Sequence, residues 1–126
     1  MKVLSQVILN KWILIFISII FGSCGQIFMK KGTLTIGVIT KVNLQIIYKI
    51  ITSSWILLGL FMYGIGSFAW IISLSRLDLS YLFPINALGY IIVSFLGYLL
   101  FKEQVTVLRI SGLIFVCIGV ALIARS

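Results

Sequence analysis

Histidine is absent from the 126 residues, and only two residues, Asp78 and Glu103, are acidic. Without imidazole, the commonest metal ligand and the usual general base at neutral pH are missing. Cys24 and Cys117 both lie inside apolar runs, so neither a disulfide nor a metal site is expected; both read as small buried residues. No Asp, Glu, Lys or Arg stands in the middle of any long apolar run. Charges at that depth mark proton and ion pathways, so a proton relay through the membrane is not expected. Proline occurs once, at Pro84. No cofactor and no covalent chemistry are implied, and the chain does not read as an enzyme.

What is present is apolar. Hydrophobic residues make up 62% of the chain and the mean hydropathy is +1.27. A soluble domain runs near 45–50% apolar and could not hide so much apolar surface. A spanning helix takes about 20 apolar residues, so four helices use roughly 80 and leave only short connections. The expected fold is an all-α membrane protein, a single bundle over 1–126 with spans at about 11–29, 55–74, 80–101 and 105–124. Lys30, Lys31 and Gly32 close the first span, Arg76-Leu77-Asp78 forms a tight turn, and Lys102-Glu103-Gln104 closes the third. Connections that short make neighbouring helices antiparallel hairpins. The segment 33–54 is the one real loop. Leu44, Ile47, Ile50 and Ile51 recur near helical spacing, which suits either a short interfacial helix or an extension of the second span. The stretch IFGSC ending at Cys24 loosely matches a lipoprotein cleavage site, but three further spans follow and cleavage is not expected.

The net charge of +8 invites a nucleic-acid reading. The basic residues instead flank the apolar runs, where they anchor helix ends, and no nucleic-acid partner is expected. A residual basic excess favours anionic lipid head groups. Four spans put both termini on one side. That side holds Lys2, Lys11, Arg76 and Arg125, against Lys30, Lys31, Lys41, Lys49, Lys102 and Arg109 on the other, which is too even to fix an orientation.

The spans carry neutral polar and aromatic groups in place of charge. These are Ser18, Ser23 and Gln26 in the first, and Tyr63, Ser67, Trp70 and Ser73 in the second. The third has Tyr81, Asn86, Tyr90, Ser94 and Tyr98. Asn86, Tyr90 and Gly97, with Ser94 close by, share one face that can line a polar groove. Each group also suits a hydrogen bond between helices. Amides are costly in hydrocarbon unless paired, which singles out Gln26 and Asn86. Pro84 either kinks the third span, freeing carbonyls near Ser80 and Tyr81, or simply starts it. Gly59 and Gly66 form one stripe of small residues, and Gly112 and Gly119 another. Such stripes let helices approach closely, within the bundle or between two copies.

These residues resemble the small multidrug resistance proteins and their relatives in the drug/metabolite transporter superfamily. The run GLIFVCIGV at 112–120 resembles that family's last helix, whose paired glycines make the dimer contact, and GQIFMK at 25–30 resembles the end of its first. The drug exporters carry an essential glutamate three residues before that first glycine; Gly22 stands there instead. The resemblance is nearer to the branch that flips polyprenyl-phosphate sugars, notably the undecaprenyl-phosphate-aminoarabinose flippase subunits, which lack the glutamate too. Gly25-Gln26 with Lys30, Trp70, Phe83-Pro84, Glu103, and Gly112 with Gly119 carry it; those subunits tend to have tyrosine where Phe83 stands. The resemblance implies a bacterial inner-membrane flippase for a lipid-linked sugar phosphate, working among membrane lipids as a homodimer or with a paralogous subunit. It implies substrate contacts at Gln26, Lys30, Trp70, Tyr81, Pro84, Asn86, Tyr90 and Glu103, and a dimer interface at Gly112 and Gly119. The competing readings are a small-cation exporter using Glu103 or Asp78, and a non-transporting subunit of a membrane glycosyltransferase.

Overall fold

A computed structural model describes residues 10–126 together with Lys2 and Gln6. The rest of the short basic N-terminal stretch read from the sequence lies outside the described residues. Six helices follow: α1 (Lys11–Ile36), α2 (Leu44–Thr52), α3 (Ser54–Leu74), α4 (Leu79–Asn86), α5 (Leu88–Phe101) and α6 (Val107–Arg125). With α4 and α5 counted as one broken span, four helices among the described residues are long and apolar enough to cross a membrane. The chain is an all-α, multi-pass membrane protein.

α1 is longer than its apolar run. Asn10 caps its start by accepting from the Trp12 amide at 3.0 Å, and Gly37, at φ 93°, ends it. Lys30, Lys31 and Gly32 do not close the helix: lysine is a good helix former whose stem snorkels. Gly32 serves packing instead, since a Cβ there would run into the Ile56 side chain. Twenty-six residues span about 39 Å against about 30 Å of hydrocarbon. Counting twenty residues from Trp12 reaches Lys31, so a span that begins at Trp12 would end near Lys30 and Lys31.

The loop holds a separate short helix, α2. Asn43 caps its start, and Ser53 both ends it and caps α3 by accepting from the Ile56 amide at 3.4 Å. Ile46 and Ile50 are half-buried against the bundle, while Leu44, Ile47 and Ile51 point away from it.

α1 and α3 form the tightest pair. A Cβ at Gly25 would lie 2.6 Å from the Gly59 carbonyl oxygen, and one at Gly66 would lie 2.9 Å from the Gly22 amide nitrogen. The stripe of Gly59 and Gly66 is therefore spent within the chain, backbone against backbone. Pro84 is the sixth residue of α4, beyond the first turn, and the helix breaks three residues later at Ala87. Shorter bonds, Ala87 N–H to Pro84 C=O and Tyr90 N–H to Ala87 C=O, carry the chain across that break.

The buried core is small: Ile15, Ile19, Leu82, Ile85 and Val120, flanked by Trp12, Trp70 and Tyr81. α6 contributes only Val120 to it, and α5 buries only Gly97. Cys24 is half-buried but Cys117 is exposed, contrary to the sequence reading, because it lies on the uncovered side of α6.

Candidate functional site

Between the α1–α3 pair and the broken α4–α5 span lies a cavity of about 300 Å³. α1 contributes Ser18, Gly22, Ser23 and Gln26; α3 contributes Tyr63, Ser67 and Trp70; α4 and α5 contribute Phe83, Asn86 and Tyr90. Each set follows helical spacing, so each helix turns one stripe of neutral polar and aromatic groups toward the same space. Trp70 meets Phe83 edge to face, with ring centroids 6.2 Å apart. No lining residue carries a charge. Such a wall offers hydroxyl and amide partners beside aromatic faces. It suits a polyhydroxylated ligand and provides no carboxylate to hold a proton or a cation.

Of the residues singled out by sequence, Gln26, Trp70, Asn86 and Tyr90 come together here. Tyr81 and Pro84 do not. Tyr81 packs toward the core with its ring 5.4 Å from the Lys11 ammonium, and Pro84 leaves the cavity wall to its neighbour Phe83. Ser18, Ser23, Tyr63 and Ser67 line the cavity as well; as span polar groups they were visible in the sequence, but nothing local ranked them above Ser73 or Tyr98. Ser73 turns its hydroxyl to the Ala69 carbonyl in its own helix, at 3.0 Å.

Lys30 and Glu103 lie outside the cavity and meet each other. The ammonium is 4.0 Å from a carboxylate oxygen, with both side chains about half exposed (49% and 46%). A pair that open contributes about 0–1 kcal/mol. Lys30 follows Gln26 by one helical turn, about 6 Å along α1, and so stands beyond the cavity. Glu103 reaches it because Lys102 adopts a left-handed conformation, φ 53°, that folds the chain back over the end of α5. Its carboxylate rests on Gly97, where a Cβ would come within 2.9 Å of Oε2. Gly97 thus makes room for Glu103 and does not line the groove assigned to its face. A second cavity, of about 290 Å³, is lined by Lys30, Thr33, Leu34, Gly37, Val38 and Ile39. Lys31 lies over the Trp55 ring at 4.0 Å.

Gly112 and Gly119 face open space, where an added Cβ would meet nothing within 4 Å. Leu108, Phe115 and Leu122 share their side of α6 and are 82%, 73% and 66% exposed.

Comparison with known proteins follows the same lines. A probable 4-amino-4-deoxy-L-arabinose-phosphoundecaprenol flippase subunit ArnE of Pseudomonas fluorescens is 36% identical over 73 residues, 58% of this chain and 64% of its own. The ArnE of Pseudomonas aeruginosa is 32% identical over 74 residues, 59% of this chain and 64% of its own. The ArnF of Photorhabdus laumondii, a probable subunit of the same flippase, is 29% identical over 119 residues, 86% of this chain and 92% of its own. The chain thus spans slightly less than two thirds of the ArnE proteins it matches. No family model and no solved structure matches it. The chain is similar to proteins named as subunits of an aminoarabinose-phosphoundecaprenol flippase, the branch that its short motifs resemble.

Proposed function

We propose that this chain moves a polyprenyl-phosphate-linked monosaccharide across the bacterial inner membrane, as one half of a dimer. One observation carries the reading: an uncharged cavity of hydroxyls, amides and aromatic rings, with a lysine one helical turn beyond it. A sugar has hydroxyls to bond and an apolar face to stack, which Gln26, Asn86, Trp70 and Tyr90 match. The phosphate next to it carries the negative charge that Lys30 attracts. The polyprenyl tail stays in lipid, so the protein shelters only the head group, whose unaided passage through hydrocarbon is prohibitive. The lining offers a cation exporter no carboxylate, and Glu103 is turned toward Lys30.

The uncovered face of α6 supports the second half of the proposal. Gly112 and Gly119 form a groove beside the ridge of Leu108, Phe115 and Leu122, a surface suited to an identical copy or a paralogue.

The test is reconstitution into liposomes with a labelled undecaprenyl-phosphate monosaccharide, following its exposure to an impermeant reagent. Protein-dependent exposure is expected, falling at least tenfold in Lys30→Ala and Asn86→Ala. Unchanged exposure with the native chain, alone or with a paralogous subunit, sinks the reading; retention of a membrane glycosyltransferase on purification would then favour a non-transporting subunit.

A further inference from the structure

We infer that Glu103 is a displaceable counter-ion for Lys30, a latch between α1 and the end of α5 that an anionic phosphate head group opens by taking the carboxylate's place. The inference rests on the flippase reading and deepens it.

Three features point this way. The first is the inequality of the two sides of the cavity. α1 and α3 touch backbone to backbone at Gly25, Gly59 and Gly66. α5 meets α1 more lightly, with Gly89 facing the Ser23 hydroxyl at the level of the cavity. The Lys30–Glu103 ion pair ties α1 to the end of α5. The second is that Glu103 is brought there by construction. Its amide donates to the Gly97 carbonyl at 3.3 Å, the preceding residue is left-handed, and the missing Cβ at Gly97 leaves the carboxylate its seat. The third is the openness of the pair. At 4.0 Å and half exposed, it is weak enough for a second anion to exchange with it. A phosphodiester and a carboxylate carry the same single charge, so the exchange leaves Lys30 neutralised throughout. Glu103 is thus a positioning residue that keeps the lysine occupied, and the α5 end tethered, until a head group arrives.

The experiment uses the full chain in nanodiscs of phosphatidylcholine, with a labelled undecaprenyl-phosphate monosaccharide, the phosphodiester of the proposal, as the probe. Lys30→Ala is expected to weaken binding. Glu103→Gln removes the competitor and is expected to tighten binding on the order of threefold, the size of an exposed ion pair. Gly97→Ala displaces the carboxylate from its seat by pressing only on the end of a flexible side chain, so it should fold and tighten binding in the same direction. In a Lys30→Ala background, Glu103→Gln should add nothing. Merely structural damage weakens binding, so tightening separates the two roles. If the native chain binds but Glu103→Gln and Gly97→Ala leave affinity unchanged or lower it, the latch is overturned and the flippase reading stands. If the native chain binds no undecaprenyl-phosphate monosaccharide, both fall.

Discussion

Single glycines do different work here, and their neighbours tell them apart. Gly25 meets backbone: the Gly59 oxygen at 2.6 Å and the Tyr63 nitrogen at 2.9 Å from a would-be Cβ. Backbone cannot swing aside, so Gly25→Ala must push α1 and α3 apart. The expected cost is about 1–3 kcal/mol, read as a lower midpoint in detergent unfolding, while Gly64→Ala, with nothing within 4 Å, should leave the midpoint unchanged or raised. An equal midpoint for both variants would refute the seam. Sequence spacing marked Gly59 and Gly66 as a stripe, but only the fold shows that α1 fills it. The Lys30–Glu103 pair was harder to read. The resemblance named both residues, yet nothing local to either announces a contact made through a left-handed Lys102 and an empty Cβ position at Gly97.

At the scale of elements, the spans were legible because composition alone forces them, whereas their ends were not. Lysines were read as closing α1, but a helix stops where its backbone bonds find another partner or its dihedrals change. That happens at Gly37. The loop helix α2 was legible in its period and not in its boundary, since Ser53 both ends α2 and caps α3. Its outward Leu44, Ile47 and Ile51 would be costly in water and short of partners within the chain. Together with Lys49 on another side, they lead us to predict that α2 lies flat in the head-group region. An environment-sensitive label at Ile47 should accordingly be quenched by lipid-borne quenchers and one at Gln45 by aqueous iodide. Equal aqueous quenching at both positions would mean that α2 stands clear of the membrane.

The whole molecule is lopsided, with α1 at its centre and α6 at its margin. The cavity draws on α1, α3, α4 and α5, and α6 takes no part in lining it. Eight of the residues that line it, Ser18, Ser23, Gln26, Tyr63, Ser67, Trp70, Asn86 and Tyr90, were legible as polar or aromatic groups within apolar spans, because such groups need partners and so converge. Their rank was not legible, since Ser18 and Ser73 look alike until the fold turns one toward the cavity and the other toward its own helix. The same asymmetry gives α6 a separate task. A small-residue groove beside a ridge can pair with a second copy of itself, as the proposed two-fold interface requires. Filling the groove should therefore split the assembly without touching the bundle. Gly112→Val with Gly119→Val adds side chains where nothing stands within 4 Å, so the monomer should keep its helicity and its unfolding midpoint. Energy transfer between labelled chains in dilute liposomes should fall at least tenfold if α6 carries the interface, and flipping should fall with it if two copies share the task. Undiminished transfer would move the interface to another face of the chain, and undiminished flipping by separated chains would show that a single copy suffices.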